Sequence, residues 1–210
     1  MTDLRIMHKV IHLNTSPVLF DKPFSAASMT EDWEAKNAEW WVADGALWGR
    51  NAHAAAGCIL SRGTFPGNVL LDFYAMTVAP STHDIDAFWN ASWDAATNTR
   101  GTAYVAGVQG WWTGKIGIER SPTCIPTVAA PCPWFMPGRE YHLQMGTIDG
   151  HSFIFVDGTL QLELLDTDPI NSQQHTHIGF EAYQSQVCIR LLTVRQIAWS
   201  PVEEAYRPEF

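Results

Sequence analysis

The fold is decided by one stretch: Tyr141-His142-Leu143-Gln144-Met145, Asp149-Gly150, Ser152-Phe153-Ile154-Phe155-Val156, Asp157-Gly158 and Thr159-Leu160-Gln161-Leu162. Asp-Gly between apolar and aromatic runs marks a hairpin, because a two-residue turn needs positive φ and glycine supplies it without steric cost. Two such turns in succession predict a three-stranded antiparallel meander. Asp44-Gly45 predicts a further hairpin, joining Trp40-Trp41-Val42 to Leu47-Trp48.

Outward from the meander, turn signals recur about every eight to twelve residues, the pattern of all-β sandwiches and barrels. Short runs rich in Val, Ile, Phe, Tyr and Trp lie between them and predict strands over 4–13, 57–61, 68–78, 85–93, 102–109, 115–119, 176–182 and 186–198. No long segment holds a 3.6-residue period, so little helix is expected. Residues 121–138 hold five prolines and two cysteines and predict a long loop, with a role or as a bare insertion. With no composition shift and 210 residues, one domain over 1–210 is expected.

Only 17% of the residues are charged, 46% are hydrophobic and ten are tryptophan, which rules out a disordered or coiled-coil chain. The net charge of -9, without a basic cluster, argues against nucleic acid as a partner. No apolar run approaches membrane-spanning length, and the start Met1-Thr2-Asp3-Leu4-Arg5-Ile6 lacks the basic and apolar regions of a leader. A cytoplasmic location without membrane contact is therefore expected. Cys58, Cys124, Cys132 and Cys188 fit no metal-ribbon spacing, so free thiols are the expectation, with Cys124 and Cys132 able to bridge in an exported protein.

Phe20-Asp21-Lys22-Pro23-Phe24, Asp32-Trp33 and Trp40-Trp41-Val42-Ala43-Asp44-Gly45-Ala46-Leu47 resemble the N-terminal strands of concanavalin-like jelly-roll domains that act on carbohydrate. Tyr141-His142-Leu143, Val156-Asp157-Gly158, His177-Ile178-Gly179-Phe180 and the run 187–198 resemble their last strands. Within that superfamily, His83-Asp84-Ile85-Asp86-Ala87-Phe88-Trp89-Asn90-Ala91 and Gly110-Trp111-Trp112 through Gly117-Ile118-Glu119-Arg120 look like the bacterial YesU-like group of small intracellular proteins. The 3-keto-disaccharide hydrolase domain is a more distant likeness. The resemblance implies an all-β jelly-roll sandwich of two antiparallel sheets and a carbohydrate ligand. Because the superfamily hosts lectins, hydrolases and lyases alike, it leaves the reaction open.

On a strand from Asp84, alternation puts Asp84, Asp86, Phe88 and Asn90 on one face and His83, Ile85, Ala87 and Trp89 on the other. Two carboxyls two residues apart, about 7 Å at Cα, raise each other's pKa and suit acid–base work. The bland alternative is a solvated pair at a strand start. Laminarinase-type hydrolases of the superfamily carry Glu-x-Asp-x-x-Glu; set on Asp84 and Asp86, the third place falls on Trp89, which transfers no proton. That leaves a retaining two-carboxyl mechanism without its second group.

Glycines around Trp111 and Trp112 predict a loop that offers flat indole faces to a pyranose, with Glu119 and Arg120 leaving on opposite faces of the next strand. Core Trp residues and a surface ion pair for Arg120 are the alternative. His53 is a second candidate base. His175 and His177 share a face but lack a third metal ligand nearby, and His142 and His151 read as exposed turn residues. Tyr104 and Gln109 could complete a lyase-like set with His53 and Arg120.

Phosphate loops and the Gly-x-Ser-x-Gly elbow are missing, and no cofactor is expected. The expected function is an intracellular carbohydrate-active enzyme, a glycoside hydrolase or lyase, working on a small oxidised or uronic-acid-containing oligosaccharide. Its expected catalytic residues are Asp84, Asp86, His53 and Glu119, and its expected substrate contacts are Trp89, Asn90, Tyr104, Gln109, Trp111, Trp112 and Arg120. A lectin-like binding module is the rival, and a homo-oligomer through exposed aromatics is a third reading.

Overall fold

The computed structural model describes residues 2–110 and 113–202. In chain order its strands are β1 (Leu4–Ile6), β2 (Lys9–Ile11), β3 (Val18–Phe20), β4 (Trp33–Ala35), β5 (Glu39–Ala43), β6 (Ala46–Asn51), β7 (Gly57–Ser61), β8 (Val69–Thr77), β9 (Ile85–Ala91) and β10 (Trp93–Asp94). They continue with β11 (Thr99–Arg100), β12 (Ala103–Val108), β13 (Lys115–Ser121), β14 (Thr127–Pro131), β15 (Tyr141–Ile148), β16 (His151–Val156), β17 (Thr159–Leu165), β18 (His177–Ala182), β19 (Ser185–Gln196) and β20 (Trp199–Pro201). Helix is confined, among the described residues, to α1 (Ala26–Glu31), started by a reciprocal capping box between Ser25 and Ser28. No helix among them is long and apolar enough to cross a membrane.

Two antiparallel sheets face each other. One runs β14-β13-β12-β9-β18-β7-β4, the other β17-β16-β15-β8-β19-β6-β5 with β3 beside β19. This is the jelly-roll sandwich that the sequence predicts. The three Asp-Gly turns form as expected, with φ near 50° at Asp44, Asp149 and Asp157 and 71–84° at the glycines that follow. They set the β5–β6, β15–β16 and β16–β17 registers.

Alternation along each strand sends one set of side chains between the sheets. Ile85, Ala87 and Trp89 of β9 meet Leu71 and Phe73 of β8, Met145 of β15 and Phe180 of β18 in the main core. A second core, Leu4, Ile6, Ile11, Leu70, Phe153 and Phe155, lies on the outer face of the eight-stranded sheet, where the β1-β2-β20 sheet covers part of it. A third, Cys58, Leu60, Phe88 and Val105, sits on the outer face of the seven-stranded sheet.

Several expectations change. Residues 4–13 are a hairpin, β1 with β2, because the chain turns at Met7-His8 without glycine or proline to announce it. The expected loop 121–138 contains β14, which pairs with β13 from Lys115↔Pro131 to Glu119↔Thr127. His151 is buried, 3.0 Å from Glu163, and His142 is half-buried, 2.6 Å from Asp72; both follow strand parity into polar pairs and do not hang from the turn. All four cysteines are free, as expected.

Candidate functional site

The central strand of the seven-stranded sheet is β9, and its outward-facing carboxyl is Asp86. Across one ladder Asp86 lies opposite Gly107 of β12; across the other it lies opposite Glu181 of β18. Residues directly opposite in an antiparallel pair have Cβ atoms about 4.5–5.5 Å apart. The carboxylate that strand β9 lacks therefore comes from its neighbour.

Asp84 precedes the strand with φ 77° and is fully buried. Its Oδ2 accepts from Ser185 Oγ at 2.7 Å and from the Tyr183 N–H at 2.5 Å. Neither Asp84 Oδ1 nor Asp86 Oδ1 meets a donor from another residue. The two carboxyl groups act on each other in this buried site, and two adjacent anions there are costly, which favours one of them keeping a proton. Burial raises the Asp84 pKa against the pull of its donors. Burial, and then the charge of Asp84, push Asp86 well above the usual carboxylate range. Asp86 is thus the stronger proton holder of the two, and Asp84, with two donors on its Oδ2, the more readily ionised.

A cation lies beside these acids. Arg100, on the small β10-β11 hairpin, pairs with Glu181 and lies over the Phe88 ring with its guanidinium 5.6 Å from the centroid. Glu119, on β13, is buried, held above its ordinary pKa by that burial, and accepts from Cys124 Sγ at 3.5 Å. Cys58 Sγ lies 3.9 Å from Glu181, its thiol pushed up to about 11 by burial. Above the acids opens a cleft of about 340 Å³, lined by His83, Asp84, Asp86, Gly110, Thr113, Glu181, Tyr183 and Gln184. Ligand pockets of about 300–1,000 Å³ are the usual size for a small molecule.

Of the residues singled out by sequence, the structure brings Asp84, Asp86 and Glu119 together on this face. The other described ones are elsewhere. Trp89 is fully buried and donates to Thr147 Oγ1 at 2.5 Å, so it belongs to the core and not to a stacking platform. Tyr104 is buried too, its hydroxyl donating to Asp166 Oδ2 at 2.9 Å and its pKa raised by desolvation. Asn90 leaves the Asp86 face: φ is 44°, the β9–β18 register slips beside it, and its amide donates to the Gly67 carbonyl.

Arg120 binds the loop after β17, reaching Asp166 at 3.2 Å together with the Asp168 carbonyl; it makes an ion pair as in the alternative reading, but with a buried acid and not at the surface. Gln109 closes the 109–115 loop by accepting from the Gly114 N–H at 2.9 Å. His53 is exposed in the loop after β6 and does not line the cleft. Trp111 and Trp112 lie outside the described residues, although their neighbours Gly110 and Thr113 line the cleft.

Sequence reasoning missed Glu181 and Arg100. Glu181 was legible in principle, since alternation from core residue Phe180 turns it outward; its partner strand was not. Among the described residues no group of three or more His, Cys, Asp or Glu is arranged to hold a metal ion, and His177 Nδ1 instead bonds the Ser61 carbonyl at 2.9 Å.

No family model matches the chain, and no curated protein matches it by sequence. The likeness to the YesU-like group and to the 3-keto-disaccharide hydrolase domain therefore has no sequence-level support. Solved structures do match. A carbohydrate-binding module, CBM66 from Bacillus subtilis, aligns with a TM-score of 0.63 at 14% identity over 78% of this chain and 95% of that one. A Bacillus subtilis protein of unknown function with a galectin-like fold gives 0.67 at 14% identity over 86% and 96%. A GlcNAcα1-4Gal-releasing endo-β-galactosidase from Clostridium perfringens gives 0.58 at 10% identity over 93% and 66%. At these identities the likeness is one of fold: a galectin-like, concanavalin-like jelly roll.

Proposed function

We propose that this protein is a carbohydrate-active enzyme that hydrolyses a glycosidic bond of a small neutral oligosaccharide in the cleft over Asp84, Asp86 and Glu181. The observation that carries the reading is the buried Asp84–Asp86 pair, both raised by that burial, with a third carboxylate directly across the ladder from Asp86. A carboxyl kept protonated by burial is a general acid, and an ionised partner beside it is a base. Asp86 passes its proton to the glycosidic oxygen as the C–O bond breaks. Water adds at the anomeric carbon and yields its proton to Glu181, whose charge Arg100 holds in place. Among the neighbours of similar fold, a carbohydrate-binding module and an endo-β-galactosidase support a sugar ligand.

The electrostatics of the cleft favour hydrolysis over elimination. Sequence alone pointed toward an oxidised or uronic sugar. A uronate, however, would meet the charges of Asp84 and Glu181 in the cleft, with Arg100 already paired to Glu181. Like charges in a desolvated site repel strongly, so a neutral sugar is the better fit.

Incubating the protein with panels of neutral and uronic oligosaccharides, reading reducing ends and the ultraviolet absorbance of unsaturated products, tests this. Reducing ends from a neutral member are expected; unsaturated product would move the reaction to the lyase class. Saturable binding without any product would make the cleft a lectin site, and absence of both would sink the sugar assignment.

Gly110 offers a finer check. A Cβ there would stand 2.6 Å from Asp86 Oδ1 and displace the carboxyl. Gly110→Ala is expected to lower kcat by about 10²-fold, the usual penalty for a misplacement near 1 Å. Thermal melts should change little, since position 110 lies on a loop.

A further inference from the structure

The outer face of the opposite sheet holds a larger concavity, about 470 Å³, beside the part that β1, β2 and β20 cover. We propose that this groove, floored by Asp72, Tyr74, His142, Gln144 and Thr193, is a second binding site for one neutral pyranose ring. The two sites are on opposite sides of the sandwich, across a core about 10 Å thick, so the second adds a contact that the cleft cannot make.

The floor is a built surface. Register places Gln144 and Thr193 on either side of Asp72 and His142 beside Tyr74. Asp72 Oδ1 bonds His142 Nε2 at 2.6 Å, and Asp72 Oδ2 accepts from Gln144 Nε2 at 2.8 Å. A carboxylate has about four lone-pair sites, so both oxygens retain capacity for sugar hydroxyls. The half-buried Tyr74 and His142 rings stack face to face with centroids 4.6 Å apart and planes at 14°, so the imidazole, itself tied to Asp72, holds the Tyr74 ring in a fixed orientation as an aromatic wall of the groove for a pyranose C–H face.

The rim adds a second observation. The β8–β19 register shifts between Arg190 and Thr193, and within that bulge Leu191 stands at φ 54° and 67% exposed. A leucine in the left-handed region is strained, and such strain gathers at ligand sites. Here it holds an apolar wall over a polar floor. Charge at the groove is balanced: Asp3 and Asp72 are matched by Arg195 and by the imidazole paired with Asp72, so nothing selects an ion.

The test is an amide-shift titration of 15N-labelled protein with D-glucose, D-galactose, D-mannose and N-acetyl-D-glucosamine. At least one is expected to move the amides of Tyr74, Gln144 and Thr193 saturably, with no change in the Asp86→Asn variant. Tyr74→Ala should weaken that binding about tenfold. Thr193→Arg, which fills the groove from an outward-facing position, should abolish it, so a poorly folded Tyr74→Ala leaves the proposal testable. Silence at these amides with every sugar up to roughly 100 mM, far above the millimolar Kd expected of one ring, overturns it. So do shifts confined to the cleft around Tyr183, or shifts that Thr193→Arg leaves intact.

Discussion

Asp86→Asn is expected to reduce kcat/KM on the cleaved oligosaccharide by about 10²–10⁴-fold, the range that a positioned proton donor supplies. Asparagine keeps the shape and removes the proton. The wild type should show a descending alkaline limb in its pH–rate profile, because Asp86 must be protonated to act and burial beside Asp84 sets where that proton leaves. The residual rate of the variant should lack that limb.

Stability should move the other way. A carboxyl whose folded pKa is raised above its unfolded value adds stability that is fully present below the unfolded pKa and is lost as pH rises through the folded one. Wild-type melting temperature should therefore fall through that window while Asp86→Asn stays flatter and, at alkaline pH, melts higher. Thermal melts across pH read this directly. Undiminished turnover in the variant would remove Asp86 from the mechanism.

Trp89→Ala should cost about 3–5 kcal/mol of folding stability, the range for truncating a large buried aromatic. The indole is fully enclosed between the sheets and its N–H is satisfied by Thr147, itself bonded to Ser152 at 2.6 Å. Urea denaturation should show a lower midpoint with an unchanged slope. A variant that folded as firmly as wild type and lost only sugar affinity would restore Trp89 to the binding surface and contradict the core placement.

Trp89 also shows what the sequence made legible. Alternation grouped it with His83, Ile85 and Ala87, and the part of that face within β9, Ile85, Ala87 and Trp89, is the interior. Assigning it a stacking role weighed indole chemistry above strand parity. Asp84 and Asp86 were readable because two carboxyls in a short apolar strand are costly unless used or paired. Glu181 and Arg100 come from elements about 95 and 14 residues away from Asp86 along the chain, and a single sequence gives no cross-strand register to join them. The Asp-Gly hairpins were legible because their turn chemistry is local. Asn90 was misplaced because one residue at φ 44° reverses the parity of everything after it.

The proline-rich segment was read as a loop with an undetermined role, and the edge position of β14 gives it one. An unpaired sheet margin is a template on which another chain can add a strand. Here the margin is five residues long, ends in Pro131 and is preceded by Pro126, neither of which has an N–H to offer. At the other margin, β4 is three residues long. The segment thus acts as a selvage for this sheet, offering an added strand fewer amide donors than an unbroken margin would.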